Sequence, residues 1–149
     1  MANIIPYSFR GALFSGQHNF SNGAGKNTFN ISLYTGNPYA FTSTVYLPGT
    51  GNQEVDPGGS SNYLVKSLAN QAVASATAVA SIDFDNVTWT SATFTASYAA
   101  IYNNSTVDGT QNRLVVVLDF FGAKTATNGD FTIAFPDAAT PANAIISMS

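Results

Sequence analysis

Few residues in this chain are of the types that do acid–base or nucleophilic chemistry. There is one histidine, His18, just ahead of a glycine-rich turn, and there is no cysteine. A Ser-His-Asp arrangement could use only His18, and no Gly-x-Ser-x-Gly segment accompanies it. His18 therefore reads as a plain turn residue. The acids are Glu54, Asp56, Asp83, Asp85, Asp108, Asp119, Asp130 and Asp137. Their number permits a glycosidase-like carboxylate pair, but nothing in the spacing concentrates them. Asp83 and Asp85 fall on one face of a strand, opposite Ile82 and Phe84, and so read as facing solvent. With Asp119 on a neighbouring strand they could hold a calcium ion; the plainer reading is a solvated face that discourages edge pairing. Lack of cysteine excludes disulfides, thiolate zinc sites and a cysteine nucleophile. Gly49-Thr50-Gly51 has neither the following helix nor the Lys-Ser/Thr pair of a phosphate loop. Flat rings are the remaining resource. Tyr34, Tyr39, Tyr46, Tyr63, Trp89 and Tyr102 suffice for a sugar-binding surface; Trp89, on an alternating strand, reads as core, while the loop tyrosines Tyr39 and Tyr46 remain candidates.

The elements that would position these groups are mostly strands. Residues 7–16 suit one short helix, with Phe9 and Leu13 sharing a face and Gly16 as its stop. Phe29, Ile31 and Leu33 alternate with polar residues and predict a half-buried strand. From Gly36 to Asn62 there is little periodicity and many turn formers, with one short strand expected at Thr42–Leu47. A stretch this long without regular structure is a natural place for a contact surface; the alternative is a surface excursion packed by its own Tyr39, Phe41 and Tyr46. Residues 69–80 are alanine-rich and read as a loop becoming a strand near Ala76. Ile82 and Phe84 then alternate on one parity, and Val87 and Trp89 on the other, so a bulge or tight turn is due near Asp85-Asn86. Thr93–Tyr102 is a further strand, Asn103–Asn112 a hairpin-like loop, and Leu114–Phe120 a strand apolar on both faces, hence central. Gly122–Gly129 reads as a turn region, Phe131–Phe135 as a strand stopped by Pro136, and Asn143–Met148 as a last strand. Seven or eight short strands separated by turns predict an all-β, single-domain antiparallel β-sandwich with a short N-terminal helix. It spans residues 1–149, with 1–27 as N-terminal arm and helix and 36–62 as a long loop excursion.

Composition narrows the function classes. Charged residues are 9% and the net charge is −3, which argues against nucleic-acid binding, because displacing counterions from phosphate needs a basic field. Ser, Thr and Asn make up 46 of the 149 residues, so the surface is polar by hydroxyl and amide. No segment approaches the roughly 18 apolar residues of a membrane-spanning helix, and the N-terminus lacks the basic and apolar regions of a signal peptide. The Asn-x-Ser/Thr triplets at Asn19, Asn30, Asn86, Asn103 and Asn104 are then a by-product of composition. No cofactor is called for.

A set of spaced segments resembles a family of small structural proteins of tailed phages and prophages. They are Ser8-Phe9-Arg10 to Gly16-Gln17-His18-Asn19-Phe20, Thr28-Phe29-Asn30-Ile31-Ser32-Leu33-Tyr34-Thr35, and Val79 to Trp89 with its Ile82-Asp83-Phe84-Asp85-Asn86 centre. Next come Ala92-Thr93-Phe94-Thr95-Ala96, Ala100-Ile101-Tyr102-Asn103, Val117-Leu118-Asp119-Phe120, Lys124-Thr125 and Gly129 to Pro136. These follow in order over most of the chain. The middle departs from the family pattern: Glu54-Val55 is followed by a longer turn, Asp56 to Tyr63, and Phe121 is additional. The resemblance implies a non-enzymatic virion component, made in the host cytoplasm, that decorates or cements the capsid. The implied partners are the major capsid protein or another virion protein, and further copies of the chain on the particle. It implies no catalytic residue.

Two other roles fit the same residues: a tail-, connector- or fibre-associated virion subunit, and a carbohydrate-binding module using the loop tyrosines. Low charge suits dense packing of neighbours. The contact residues expected from sequence are Ile4, Ile5 and Tyr7 in the uncharged arm, which could dock by strand addition, and Tyr39, Phe41 and Tyr46 in the long loop. The arm's other expected cover is the chain's own body.

Overall fold

Alternation of apolar and polar residues sets most of this chain into strands, and glycine, asparagine and proline decide where the strands bend or stop. The computed structural model describes residues 3–58, 61–76, 79–136 and 144–148. These hold one helix, α1 (Tyr7–Phe14), and seven strands: β1 (Phe29–Tyr34), β2 (Lys66–Leu68), β3 (Ala72–Ala76), β4 (Val79–Asp83), β5 (Val87–Asn103), β6 (Arg113–Ile133) and β7 (Ile146–Met148). Two antiparallel sheets result, ordered β2-β1-β5-β6 and β3-β4-β7. This is the expected all-β, sandwich-like fold with a short N-terminal helix.

The helix is bounded by its own chemistry. Pro6 is extended (φ −62°, ψ 149°) and its carbonyl accepts from Arg10 N, so the chain enters α1 at a residue that cannot continue a helix backwards. At the other end Gly16 takes φ 65°, Gly16 N donates to Leu13 O at 3.1 Å and Gln17 N to Ala12 O at 2.9 Å. That pair of bonds is a Schellman stop, which glycine favours because it carries no Cβ.

β5 and β6 form one long hairpin, with Val87 opposite Ile133 at one end and Asn103 opposite Arg113 at the other. Val107 and Thr110 bridge across Asp108 and Gly109, both at positive φ, the tight two-residue turn that matches strand twist. The expected turn at Gly122–Gly129 is instead part of β6. Its turn-forming residues make bulges: the register shifts between Ala96 and Tyr98 where Phe121 and Gly122 take positive φ, and between Ala92 and Phe94 where Asn128 does. Pairing resumes between them, with Thr95 and Thr125 hydroxyls 2.8 Å apart and Phe94 opposite Ala126.

Other expectations are corrected by tertiary cover. β3 begins at Ala72, not near Ala76, because its full length pairs with β4. β1 is buried on both faces, not half-buried. The Thr42–Leu47 strand reduces to a single bridge from Val45 to Arg113. β6 is not central in the sheet order; Leu114 to Val117 are buried on both faces because the arm and the long loop cover that end of its outer edge. Ile4 and Val117 exchange both backbone bonds, at 2.9 and 2.8 Å. The slip near Asp85-Asn86 is a short crossing from β4 to β5, held by Asp85 N on Ala69 O and Phe135 N on Asn86 Oδ1. Of the last expected strand, Ile146–Met148 is β7, and Asn143 lies outside the described residues.

The main core joins Phe29, Ile31 and Leu33 of β1 to Ile82 of β4, Ile146 of β7 and the β5–β6 hairpin. Phe20 stacks on Phe29 with centroids 4.3 Å apart, and Phe84 closes the group at 5.5 Å from Phe29. Full burial of each such ring contributes about 1.5–3 kcal/mol. A second cluster, Ile4, Tyr34, Tyr39, Ala100, Leu114 and Val117, lies under the long loop.

Candidate functional site

The long loop is anchored by a carboxylate that the sequence did not single out. Glu54 is buried and its oxygens accept from Tyr46 Oη at 2.8 and 3.0 Å, Tyr63 Oη at 2.8 Å and Gly49 N at 2.6 Å. Tyr63 Oη in turn accepts from Leu33 N at 3.0 Å. Burial first, with Glu54 adding to it, raises the phenol pKa of Tyr46 and of Tyr63 well above the usual tyrosine range. Alongside, Tyr34 and Tyr39 share a hydroxyl contact of 2.6 Å, and burial pushes Tyr39 up to about 12. These bonds tie the long loop to Tyr63 and, through its hydroxyl, to Leu33 of β1.

Of the loop tyrosines, Tyr39 is internal and Tyr46 is half-buried. Tyr39 is buried, with Leu47 N donating to its Oη. Tyr46 lies flat on Tyr102, with ring centroids 4.2 Å apart. Tyr39 thus presents no ring face to a sugar, and Tyr46, half-buried, has one face covered by Tyr102. Trp89 is core, as expected, and its Nε1 donates to Leu64 O at 2.7 Å.

His18 is buried, not a surface turn residue. It sits 4.9 Å from Phe9 and 6.1 Å from Phe20, centroid to centroid. Asn103 Nδ2 reaches its Nδ1 at 3.0 Å. Burial, then the Arg113 charge, lowers its pKa to about 4. Asp83, expected to face solvent beside Asp85, is buried at the end of β4. Asp85 is exposed and accepts from Asn70 Nδ2 at 2.6 Å. Asp119 accepts from Phe121 N on the bulge of β6. Among the described residues no three His, Asp or Glu side chains are grouped to hold a metal ion; Asp137 lies outside them. Nor is any described helix long and apolar enough to cross a membrane.

Three of the exposed large apolar side chains are rings on α1 and the long loop. On α1, Tyr7, Arg10, Gly11 and Phe14 have the i, i+3, i+4, i+7 spacing of one helix face, and all four are exposed. Phe14 is 94% exposed and Tyr7 59%. Phe41, 45% exposed, stacks on Tyr7 at 5.6 Å, and the Arg10 guanidinium lies 5.5 Å over the Tyr7 ring. Tyr7 N donates to Phe41 O at 2.9 Å and Ser8 Oγ to Ser43 O at 3.1 Å, so arm, helix and loop present these rings on one rigid support. Of the six contact residues expected from sequence, Tyr7 and Phe41 come together here. Ile4 is buried on β6, Ile5 packs against the main core, Tyr39 is buried, and Tyr46 is half-buried against the second cluster. Phe14 was missed, although the same spacing that buries Phe9 and Leu13 places it on the opposite face. No family model, no curated protein and no solved structure matches this chain.

Proposed function

We propose that this chain is a non-enzymatic structural subunit of a tailed-phage particle, a decoration protein that docks on the outer capsid shell through the aromatic face of α1. The observation that carries the reading is that face: Tyr7 and Phe14 exposed on α1, with Phe41 of the long loop stacked on Tyr7. Large rings held in place bind with little loss of conformational freedom and supply much of the energy of protein interfaces. The ordered resemblance to small virion proteins supports the same role. So does the low charge, which lets many copies sit side by side without repulsion.

The test is co-sedimentation of the purified chain with expanded shells that lack it, at saturating concentration. Wild-type protein sediments with the shells; Phe14→Ser combined with Tyr7→Ser does not, while its melting curve is unchanged. Failure of the wild-type protein to sediment overturns the proposal. A quantitative gel of purified particles separates head from tail: the shell demands many copies, whereas a handful places the chain in the tail or connector.

A further inference from the structure

We propose that Asn22 is a site of self-modification: the backbone nitrogen of Gly23 attacks the Asn22 side-chain amide, with the Lys26 ammonium assisting, and the residue becomes aspartate or isoaspartate. The chain holds two Asn-Gly pairs, Asn22-Gly23 and Asn128-Gly129. Glycine hinders such an attack least, because no Cβ crowds its nitrogen and its dihedrals are free. The two pairs stand in opposite surroundings. Asn22 and Gly23 form a bend outside every helix and strand, and Ser21 to Lys26 are all exposed. Asn128 and Gly129 lie inside β6, where Asn128 N donates to Thr93 Oγ1 at 3.0 Å and Gly129 stands opposite Ala92 in the hairpin.

The loop that carries Asn22 is tied at its neck. Asn27 N donates to Asn19 O at 3.0 Å, and Asn19 N to Asn27 Oδ1 at 2.7 Å. The Asn19 side chain accepts from Ser21 N and donates to Gly25 O, each at 3.0 Å. None of these four bonds uses the Asn22 side chain or the Gly23 nitrogen, so the reacting atoms can meet while the neck stays closed. Lys26 Nζ lies 3.2 Å from Asn22 Oδ1. An ammonium only donates, so the amide oxygen is the atom that faces it. That contact draws electrons from Cγ and sits where negative charge gathers as the nitrogen adds. In the reaction Gly23 N gives its proton to a water-derived base, and its electron pair bonds to Asn22 Cγ. The Cγ–Nδ2 bond breaks, and Nδ2 leaves as ammonia with a proton taken from water. One water then opens the succinimide. Cleavage of the new Cγ–N bond leaves aspartate; cleavage at the main-chain carbonyl routes the backbone through Cγ as isoaspartate. One water enters, one ammonia leaves, and nothing is oxidised. A carboxylate replaces the amide beside Lys26, and the net charge of −3 becomes more negative by one.

The two pairs in one chain make the test internal. The purified chain is aged in warm, mildly alkaline buffer, and both pairs are followed by mass-spectrometric peptide mapping, with enzymatic methylation of isoaspartate as a second readout. Asn22 is expected to convert at least about tenfold faster than Asn128, whose reaction waits for local opening of β6. In the urea-unfolded chain the two rates come together. Lys26→Met, at an exposed position, slows conversion of Asn22 about two- to fivefold in the folded chain and leaves it unchanged in the unfolded one. Gly23→Ala, whose added Cβ meets no atom within 4 Å, slows it severalfold with the melting curve unaltered. The proposal is overturned by any of three results: no conversion of Asn22 in the folded chain over the time in which the unfolded chain converts, equal rates at the two pairs in the folded chain, or a folded-state rate that Lys26→Met leaves unchanged.

Discussion

Acidification from pH 7 to pH 4 should loosen this fold through one ring. His18 is enclosed by Phe9 and Phe20, and burial, then the charge of Arg113, lowers its pKa from 6.5 to about 4. Between those two values the unfolded chain holds a proton on His18 that the folded chain does not. Stability therefore rises with pH across this window: the contribution is complete above pH 6.5 and drains away as the pH falls to 4. At 1.36 kcal/mol per unit, the shift sets an upper value of about 3 kcal/mol; screening by the solvent that still reaches the site brings this to about 2 kcal/mol. Carboxylates protonate over part of the same range, so total acid sensitivity is not diagnostic. The comparison with His18→Gln is, because glutamine keeps an acceptor for Asn103 Nδ2 and cannot titrate. Urea unfolding of both proteins at half-unit steps from pH 7 to 4 should give stability curves that converge by about 2 kcal/mol towards pH 4, wild type falling faster. Parallel curves, or an imidazole that titrates near 6.5 in the folded protein, refute the reasoning.

Other outcomes follow from the same structure. Ile4→Ala removes a buried side chain from the second core cluster and should cost about 2–4 kcal/mol, seen as a melting temperature lower by about 3 °C per kcal/mol. Glu54→Leu strands Tyr46 Oη, Tyr63 Oη and Gly49 N without their acceptor and should cost about 3 kcal/mol or more in thermal or urea unfolding, with near-ultraviolet dichroism reporting the loosened tyrosines. Gly16→Ala meets no neighbouring atom but places a Cβ at φ 65°, costing about 1–2 kcal/mol by calorimetry. Phe14→Ser alone should leave urea stability within about 0.5 kcal/mol of wild type while weakening sedimentation with shells.

Local signals were the legible part of this fold. Period-two alternation found β1, β4 and the two halves of β6; Gly16 marked the end of α1; and the parity change at Asp85-Asn86 marked the crossing between sheets. What stayed hidden depends on partners distant in sequence. Gly122 to Gly129 carry turn residues, yet the opposite strand runs past them and converts the turn into bulges. Leu114 to Val117 look central because both faces are apolar, and only the arm and the long loop reveal why an end strand can be so. His18 and Glu54 look ordinary in sequence because their burial is created by Phe9, Phe20, Tyr46 and Tyr63 from four separate segments. Phe14 was within reach: a helix that buries Phe9 and Leu13 must expose the residue a turn and a half beyond Phe9.

The pairing of Ile4 with Val117 also orders events in time. The β5–β6 hairpin zips from its own tight turn, between residues that are neighbours in sequence, whereas the bond from Asp119 N to Asn3 Oδ1 spans 116 positions. Closing so long a loop is entropically slow, so the arm is among the last pieces to dock. Until it does, the apolar edge at Leu114–Val117 is open and an identical arm from another chain fits it equally well. Refolding at high chain concentration thus favours arm exchange between chains and should yield interlocked dimers that refolding at low concentration does not.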